Sequence, residues 1–386
     1  MSEIPALPAD FDPRAEFPIL NSWTFLNHAG VAPISRPARE AIKTFAEQAH
    51  RDAYLTGRWY AGVERVRELA ATFIGARPAE IAFAKNTSEG IAFVASGMDW
   101  RAGDQIISTA VEYPSMIYPW MDLAARFGVV HTQLPEHQGR FTTQQVLDAI
   151  TPRTRMVALS HVEFASGFRH DLAAIGKVCR ERGILLCVDA IQSAGALPVD
   201  VHALHIDFLS ADGHKWLLAP EGAAIFFCRE TLIPTLRPEI GWMNVINAND
   251  YSRHDFTLRP DARRFECGSH NIPGVLALGA SIEMFLKITP SLIEQRIGGL
   301  VSHLRNRLAE KSYRVISSDQ SGETSGIVAF EAPGGGASHG EIVAELERQR
   351  IIIVERQGRL RASPHFYNSP DDIDRLVDAL PDGRET

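Results

Sequence analysis

At 386 residues the chain exceeds the length at which a single hydrophobic core stops growing, about 250–300 residues, so two lobes are expected. Its 45% hydrophobic and 22% charged residues are those of an ordinary globular protein, and a formal net charge of −8 argues against a broad nucleic-acid footprint, which would be basic. No run of about 18 apolar residues is present to span a membrane, and Met1–Pro8 has neither the basic stretch nor the apolar core of a signal peptide, so a cytoplasmic protein is expected.

Helical periodicity runs from about residue 37 to 74, followed by the short strand Ile81–Phe83. Asn86, Thr87, Ser88, Glu89 and Gly90 then open a helix. Strand-like apolar runs recur at Gln105–Thr109, Met156–His161, Ile184–Val188, Phe208–Ser210 and Ala223–Cys228, with amphipathic helices such as Leu172–Arg182 between them. This alternation predicts an α/β fold, a doubly wound and mostly parallel sheet over residues 22–255. Beyond it the pattern changes. Helices over Val275–Ile288 and Ser291–Glu310 precede strands at Ser325–Glu331 and Ile351–Val354, and helix Asp372–Leu380 follows. A smaller α+β domain over residues 256–386 is expected, with segment 1–21 packing near it.

Gly334, Gly335 and Gly336 follow a strand and precede a helix, but a dinucleotide fingerprint needs Gly-x-Gly-x-x-Gly and the next glycine is Gly340. Ser338 with Glu341 three residues later predicts a capping box instead. The four cysteines, Cys179, Cys187, Cys228 and Cys267, have no zinc spacing and are read as buried structural thiols. His202 and His205 have no companion ligand nearby, so no metal site is expected.

The chemistry concentrates at two strand ends. Lys215 follows Ser210-Ala211-Asp212-Gly213-His214, and Asp189 with Gln192 lies one βα unit upstream. Pyridoxal phosphate needs a lysine amine and an acidic group facing its pyridine nitrogen. Parallel strands ending in Asp189 and in Gly213-His214-Lys215 would bring both to the rim where open α/β sheets bind ligands. Asp189 ends an apolar run, where a carboxylate is costly unless paired, and a protonated ring nitrogen is a suitable partner. Gln192 could donate to the phenolic oxygen of the ring. Thr87 and Ser88, at a helix N-terminus, suit the cofactor phosphate. Arg361 could hold a substrate carboxylate through its guanidinium fork. Each residue also has a plainer reading: solvated lysine, helix cap, surface arginine. Their combination favours the site.

On these motifs the chain resembles class V of the fold-type I pyridoxal-phosphate enzymes, which includes cysteine desulfurases and isopenicillin N epimerase-like proteins. The resemblance runs from Phe25-Leu26-Asn27-His28-Ala29-Gly30 to Tyr367-Asn368 and rests on Thr87-Ser88-Glu89-Gly90, Asp189-x-x-Gln192, Gly213-His214-Lys215, Arg264-Phe265-Glu266-x-Gly268-Ser269 and Arg361-Ala362-Ser363. It implies that Lys215 is the Schiff-base lysine, Asp189 the pyridinium partner and Gln192 the phenolate-side donor. It makes Thr87, Ser88 and His214 phosphate ligands, Arg361 the carboxylate clamp, and Tyr113 the ring-stacking residue. Ser269 would reach the phosphate of a neighbouring subunit, which implies a homodimer with shared sites. Asn27, His28, Tyr113, Trp242 and Phe366 are the expected side-chain pocket.

Three departures bear on the reaction. Desulfurases of this family carry a catalytic cysteine on a loop shortly before the Arg361 segment, whereas Val354–Leu360 is short and lacks one. Phe164 stands where those enzymes place an asparagine, and Asp212 where relatives often have a phosphate-binding serine; Asp212 is expected to point away from the phosphate. The expected activity is Cα deprotonation of an amino acid followed by β-elimination, with transamination or epimerisation as alternatives. A silent scaffold would have been marked by loss of Lys215 or Asp189, and a nicotinamide dehydrogenase by its glycine fingerprint.

Overall fold

The structure, a computed structural model, describes residues 4–333 and 337–382. In chain order its elements begin with α1 (Pro13–Glu16), β1 (Thr24–Phe25), α2 (Arg36–Asp52), α3 (Trp59–Ile74), β2 (Ile81–Ala84), α4 (Thr87–Gly97), β3 (Gln105–Thr109), α5 (Tyr118–Phe127) and β4 (Val130–Leu134). There follow α6 (Thr143–Asp148), β5 (Thr154–Ser160), α7 (Leu172–Arg182), β6 (Leu185–Asp189), β7 (Phe208–Asp212) and β8 (Ala224–Cys228). The C-terminal part holds α8 (Ile272–Ile288), α9 (Pro290–Glu310), β9 (Arg314–Val315), β10 (Val328–Glu331), α10 (His339–Arg348), β11 (Ile351–Ile352), β12 (Val354–Arg356), β13 (Arg359–Ala362) and α11 (Pro370–Ala379).

Seven strands form the main sheet in the order β2-β8-β7-β6-β5-β3-β4. β4, β3, β5, β6 and β7 run parallel, and β8 is antiparallel to both its neighbours. The central strands are buried on both faces, which is why they read as continuous apolar runs. Alternate residues nevertheless serve different cores. Val157, Leu159, Val188, Leu209 and Phe227 pack with residues of α3, α7 and α8. Met156, Ala158, Cys187, Phe208 and Phe226 face the other way, toward Val94 of α4 and Trp120 of α5.

The helical periodicity from residue 37 to 74 is realised as two helices. Ala53 takes a left-handed φ of 51° and ends α2, and the chain re-enters helix at Trp59. The strand expected over Ile351–Val354 is also divided: β11 pairs in parallel with β1, whereas β12 pairs with β13 in the four-stranded sheet β12-β13-β10-β9. Ser338 and Glu341 form the expected capping box at α10, while Gly334–Gly336 lie outside the described residues. No single helix among the described residues is long and apolar enough to cross a membrane. Cys179, Cys187 and Cys228 are buried, but Cys267 is exposed, against the expectation of buried thiols. It follows Glu266 in a segment without regular structure, and no sheet covers it. His202 bonds the buried carboxylate of Glu80 at 3.0 Å.

Candidate active site

The parallel register aligns Ser160 of β5 with Asp189 of β6, and Asp189 with Ser210 of β7. The C-terminal ends of these strands therefore share a rim, and a cavity of about 390 Å³ opens on it. Lys85, Thr87, Ser88, Tyr113, Asp189 and Lys215 are among its lining residues, together with His214, Asp212 and Ser115. Ligand cavities of this size suit a cofactor.

Lys215 is carried out of β7 by Gly213 and His214. Its Nζ lies 5.4 Å from the centroid of the Tyr113 ring. Burial pulls its pKa down to about 8, while the negative charge of Asp189 works in the opposite direction. Asp189 ends β6 and is itself buried, which pushes its pKa up to about 6. The Ile191 N–H, donated to Asp189 Oδ1 at 2.9 Å, and the charge of Lys215 oppose that rise. Such a desolvated amine beside a carboxylate, in a cavity, is the arrangement expected of reacting groups.

Thr87 and Ser88 begin α4, whose cap is Asn86 Oδ1, accepting from the Glu89 N–H at 2.9 Å. Thr87 and Ser88, at the N-terminus of α4, line the cavity, and their N–H groups have no partner among the described residues, as an anion requires. Thr87 Oγ1 accepts the Asp212 N–H at 3.0 Å, tying helix to strand. Asp212 takes the Gly213 N–H at 2.7 Å and lies 2.9 Å from His214 Nδ1. A lysine, a facing carboxylate and an anion-binding helix end in one cavity fit pyridoxal phosphate.

Gln192 does not line the cavity. Its Oε1 accepts the Trp216 indole N–H at 2.9 Å and its Nε2 donates to the Ala29 carbonyl at 3.2 Å. Arg361 is 1% exposed; Nη1 donates to the Phe164 carbonyl at 2.6 Å and Nη2 to Asn27 Oδ1 at 3.2 Å, while Nε has no partner among the described residues. Burial lowers its pKa to about 9. Phe164 in turn packs edge-on against Tyr113, with ring centroids 5.4 Å apart.

His28 is not a pocket residue. It is fully buried, with Nδ1 at 2.8 Å from the Ser363 carbonyl and Nε2 at 2.5 Å from the Tyr367 hydroxyl. Desolvation holds its pKa near 3, so it is a neutral core imidazole. Phe366 is buried beside Phe17 and Phe285, and Trp242 lines a separate cavity with Tyr251 and His270. These three expectations rested on position in the sequence, and packing overrides each. Ser269 is exposed and lines a neighbouring cavity with Lys85, Cys267 and His270.

Two carboxyl groups behind the cavity were missed. Glu112 accepts from the Ser160 N–H at 2.8 Å and from the Ser160 hydroxyl, anchoring the loop that bears Tyr113 to the end of β5. Glu163 accepts from Thr109 Oγ1 at 2.8 Å and lies 3.1 Å from His170 Nε2. Both are buried, and desolvation raises them above the usual carboxylate range, with repulsion from Glu163 adding at Glu112 and repulsion from Glu136 and Asp189 adding at Glu163. The only sequence signal was Glu112 beside Tyr113, and a glutamate beside an aromatic is ordinary.

Comparison with known proteins shows the family. A probable cysteine desulfurase of Methanothermobacter thermautotrophicus is 30% identical over 389 residues, covering 96% of each chain. Isopenicillin N epimerase of Streptomyces clavuligerus is 32% identical over 375 residues, covering 92% of this chain and 93% of its own. Among solved structures, a mutant of C-DES with glycine covalently linked to its pyridoxal-phosphate cofactor superposes with a TM-score of 0.89 at 25% identity, covering 95% of this chain and 98% of that one. C-DES is elsewhere described as a cystine C–S lyase in complex with its product cysteine persulfide. The family model described as aminotransferase class-V matches residues 24–376, and the chain belongs to the class-V aminotransferase family.

Proposed function

We propose that this chain is a pyridoxal-phosphate enzyme that eliminates a sulfur leaving group from Cβ of an amino acid. The observation that carries this reading is the pair Lys215 and Asp189 at the ends of adjacent parallel strands. When bound, the cofactor supplies an electron sink for the pair left behind as the Cα–H bond breaks. The remaining work falls to the protein.

Lys215 takes the Cα proton. An amine with a pKa near 8 is partly free base at neutral pH, unlike a solvated lysine. Asp189, ionised above about pH 6, would be the partner for a protonated ring nitrogen of the cofactor. Thr87, Ser88, the α4 N–H groups and His214 would hold the phosphate, and Tyr113 would hold the ring. Arg361 orients the α-carboxylate; its guanidinium is buried with two neutral acceptors and no carboxylate partner among the described residues.

Elimination is preferred because C-DES is a C–S lyase and because the hairpin Val354–Ala362 has no cysteine to accept sulfur. The net reaction converts a cysteine conjugate and water to a thiol, pyruvate and ammonium. We also propose a homodimer in which Ser269 serves the partner's phosphate. Supporting it, Ser269 is exposed, and Tyr251 and Phe256 are 77% and 69% exposed nearby in sequence. Epimerisation is the second reading, favoured by the 32% identity to isopenicillin N epimerase. The two differ at Cβ. Incubating cofactor-loaded protein with S-alkyl cysteines and assaying pyruvate and ammonium tests elimination. Cα–deuterium exchange without pyruvate would replace it with epimerisation.

A further inference from the structure

The hairpin β12–β13 carries three arginines on one face. In its antiparallel register Arg356 opposes Arg359 and Val354 opposes Arg361. Opposed residues, and residues two apart on a strand, share a face. Gln357 and Gly358 form the connecting turn with φ values of 49° and 73°, the left-handed pair of a tight two-residue hairpin. The spacing of the three cations is therefore fixed by a short turn rather than a loose loop.

Their partners differ. Arg359 is neutralised by Glu136, with Nη2 at 2.9 Å from Oε1. Among the described residues Arg361 has only the Phe164 carbonyl and the Asn27 amide oxygen. Arg356 is exposed and donates only to the Glu355 carbonyl, with no ion pair among the described residues. Glu355, next in sequence, lies on the opposite face of the strand and opposes Leu360. Arg356 is also within electrostatic reach of the site. Its charge helps to depress both Lys215 and Arg361.

Two uncompensated cations thus stand as diagonal neighbours, one buried at the proposed clamp and one exposed beside it. Like charges held this way repel, and one ligand with two anionic groups relieves both. We propose that Arg356 is a specificity-determining residue that binds a second anionic group at the far end of the substrate side chain. The substrate class is then an amino acid with a distal carboxylate or similar anion, such as a cysteine conjugate whose sulfur substituent carries its own carboxylate. This inference rests on the reading of Arg361 as carboxylate clamp, but not on which bond is cleaved.

Equilibrium binding tests it without turnover. Glutarate and butyrate, which lack the amino group, are titrated calorimetrically into cofactor-loaded wild-type protein, Arg356→Gln and Arg361→Gln. Wild type is expected to prefer the dicarboxylate by about tenfold, the worth of one charge-assisted contact. Arg356→Gln should bring that preference close to unity, and Arg361→Gln should weaken both acids. Arg356 is exposed on its hairpin, so the variant keeps its fold. A preference that survives Arg356→Gln, or a wild type that shows none, overturns the assignment. An intact preference without pyruvate release would instead sink elimination and leave Arg356 in place.

Discussion

Arg361 donates from Nη1 to the Phe164 carbonyl oxygen at 2.6 Å, so the buried guanidinium is held by the backbone of the residue that packs edge-on against Tyr113. A backbone acceptor leaves the cation uncompensated, and a substrate carboxylate would supply the missing charge. Arg361→Lys keeps the charge but loses the planar fork. The expected result is a fall in kcat/KM of roughly 10- to 100-fold, chiefly through KM, because one or more charge-assisted hydrogen bonds worth about 1.5–3 kcal/mol are lost. Steady-state kinetics with a cysteine conjugate measures it. An unchanged KM would remove Arg361 from substrate recognition.

The Lys215–Asp189 pair predicts a pH dependence with a definite sign. Only the unprotonated amine attacks the cofactor aldehyde, so uptake by cofactor-free protein should accelerate as pH rises through about 8. Asp189 raises the pKa of Lys215 by stabilising its ammonium. Asp189→Asn should therefore move the midpoint downward. Stopped-flow absorbance across a pH series gives both midpoints, with Lys215→Ala as the blank. A midpoint near 10 in wild type would contradict burial as the dominant influence on this amine.

Glu163 makes a prediction about stability rather than activity. Burial raises its folded-state pKa above the value in the unfolded chain. The folded protein then binds more protons, and stability falls as pH rises above the usual carboxylate range. The contribution is flat below that range and is lost progressively toward neutrality and beyond. Glu163→Gln keeps the shape and removes the titration. Each pKa unit of the rise is worth about 1.4 kcal/mol, so the variant should gain on wild type by at least about that much between pH 5 and pH 8 in urea melts. Parallel pH profiles for the two proteins would show that Glu163 does not titrate with folding.

Much of the fold is legible in the sequence. Asp189 and Lys215 were readable because strands buried on both faces spell out continuous apolar runs, and parallel strands put their C-terminal residues on one rim. The start of α4 was readable because capping residues announce a helix start. His28, Phe366 and Trp242 were misplaced because sequence position near a motif does not say which way a side chain points. Glu112 and Glu163 were invisible for a related reason. Their role depends on strand ends separated by about 50 residues meeting at Ser160 and Thr109. No strand was expected beyond Val354, since a hairpin of such short, arginine-rich strands as β12 and β13 lacks the apolar alternation that marks one.

Gly90 links the sheet to the proposed phosphate end of the site. A Cβ there would lie 2.3 Å from Ser210 Oγ and 2.8 Å from Ser210 Cβ, so α4 approaches β7 as closely as only glycine allows. Two effects oppose each other in Gly90→Ala. Helix propensity favours alanine by about 1 kcal/mol, whereas overpacking a rigid contact costs about 1–3 kcal/mol. Ser210 sits in a central strand and has little room to retreat, so overpacking should win and Tm should fall. The same strain would push α4 outward, moving Thr87 and Ser88 and weakening cofactor affinity. Adding Ser210→Gly removes both clashing atoms, so the double variant should recover the affinity lost by Gly90→Ala. If Gly90→Ala alone raises Tm and leaves cofactor affinity intact, the packing of α4 on β7 does not position the phosphate site.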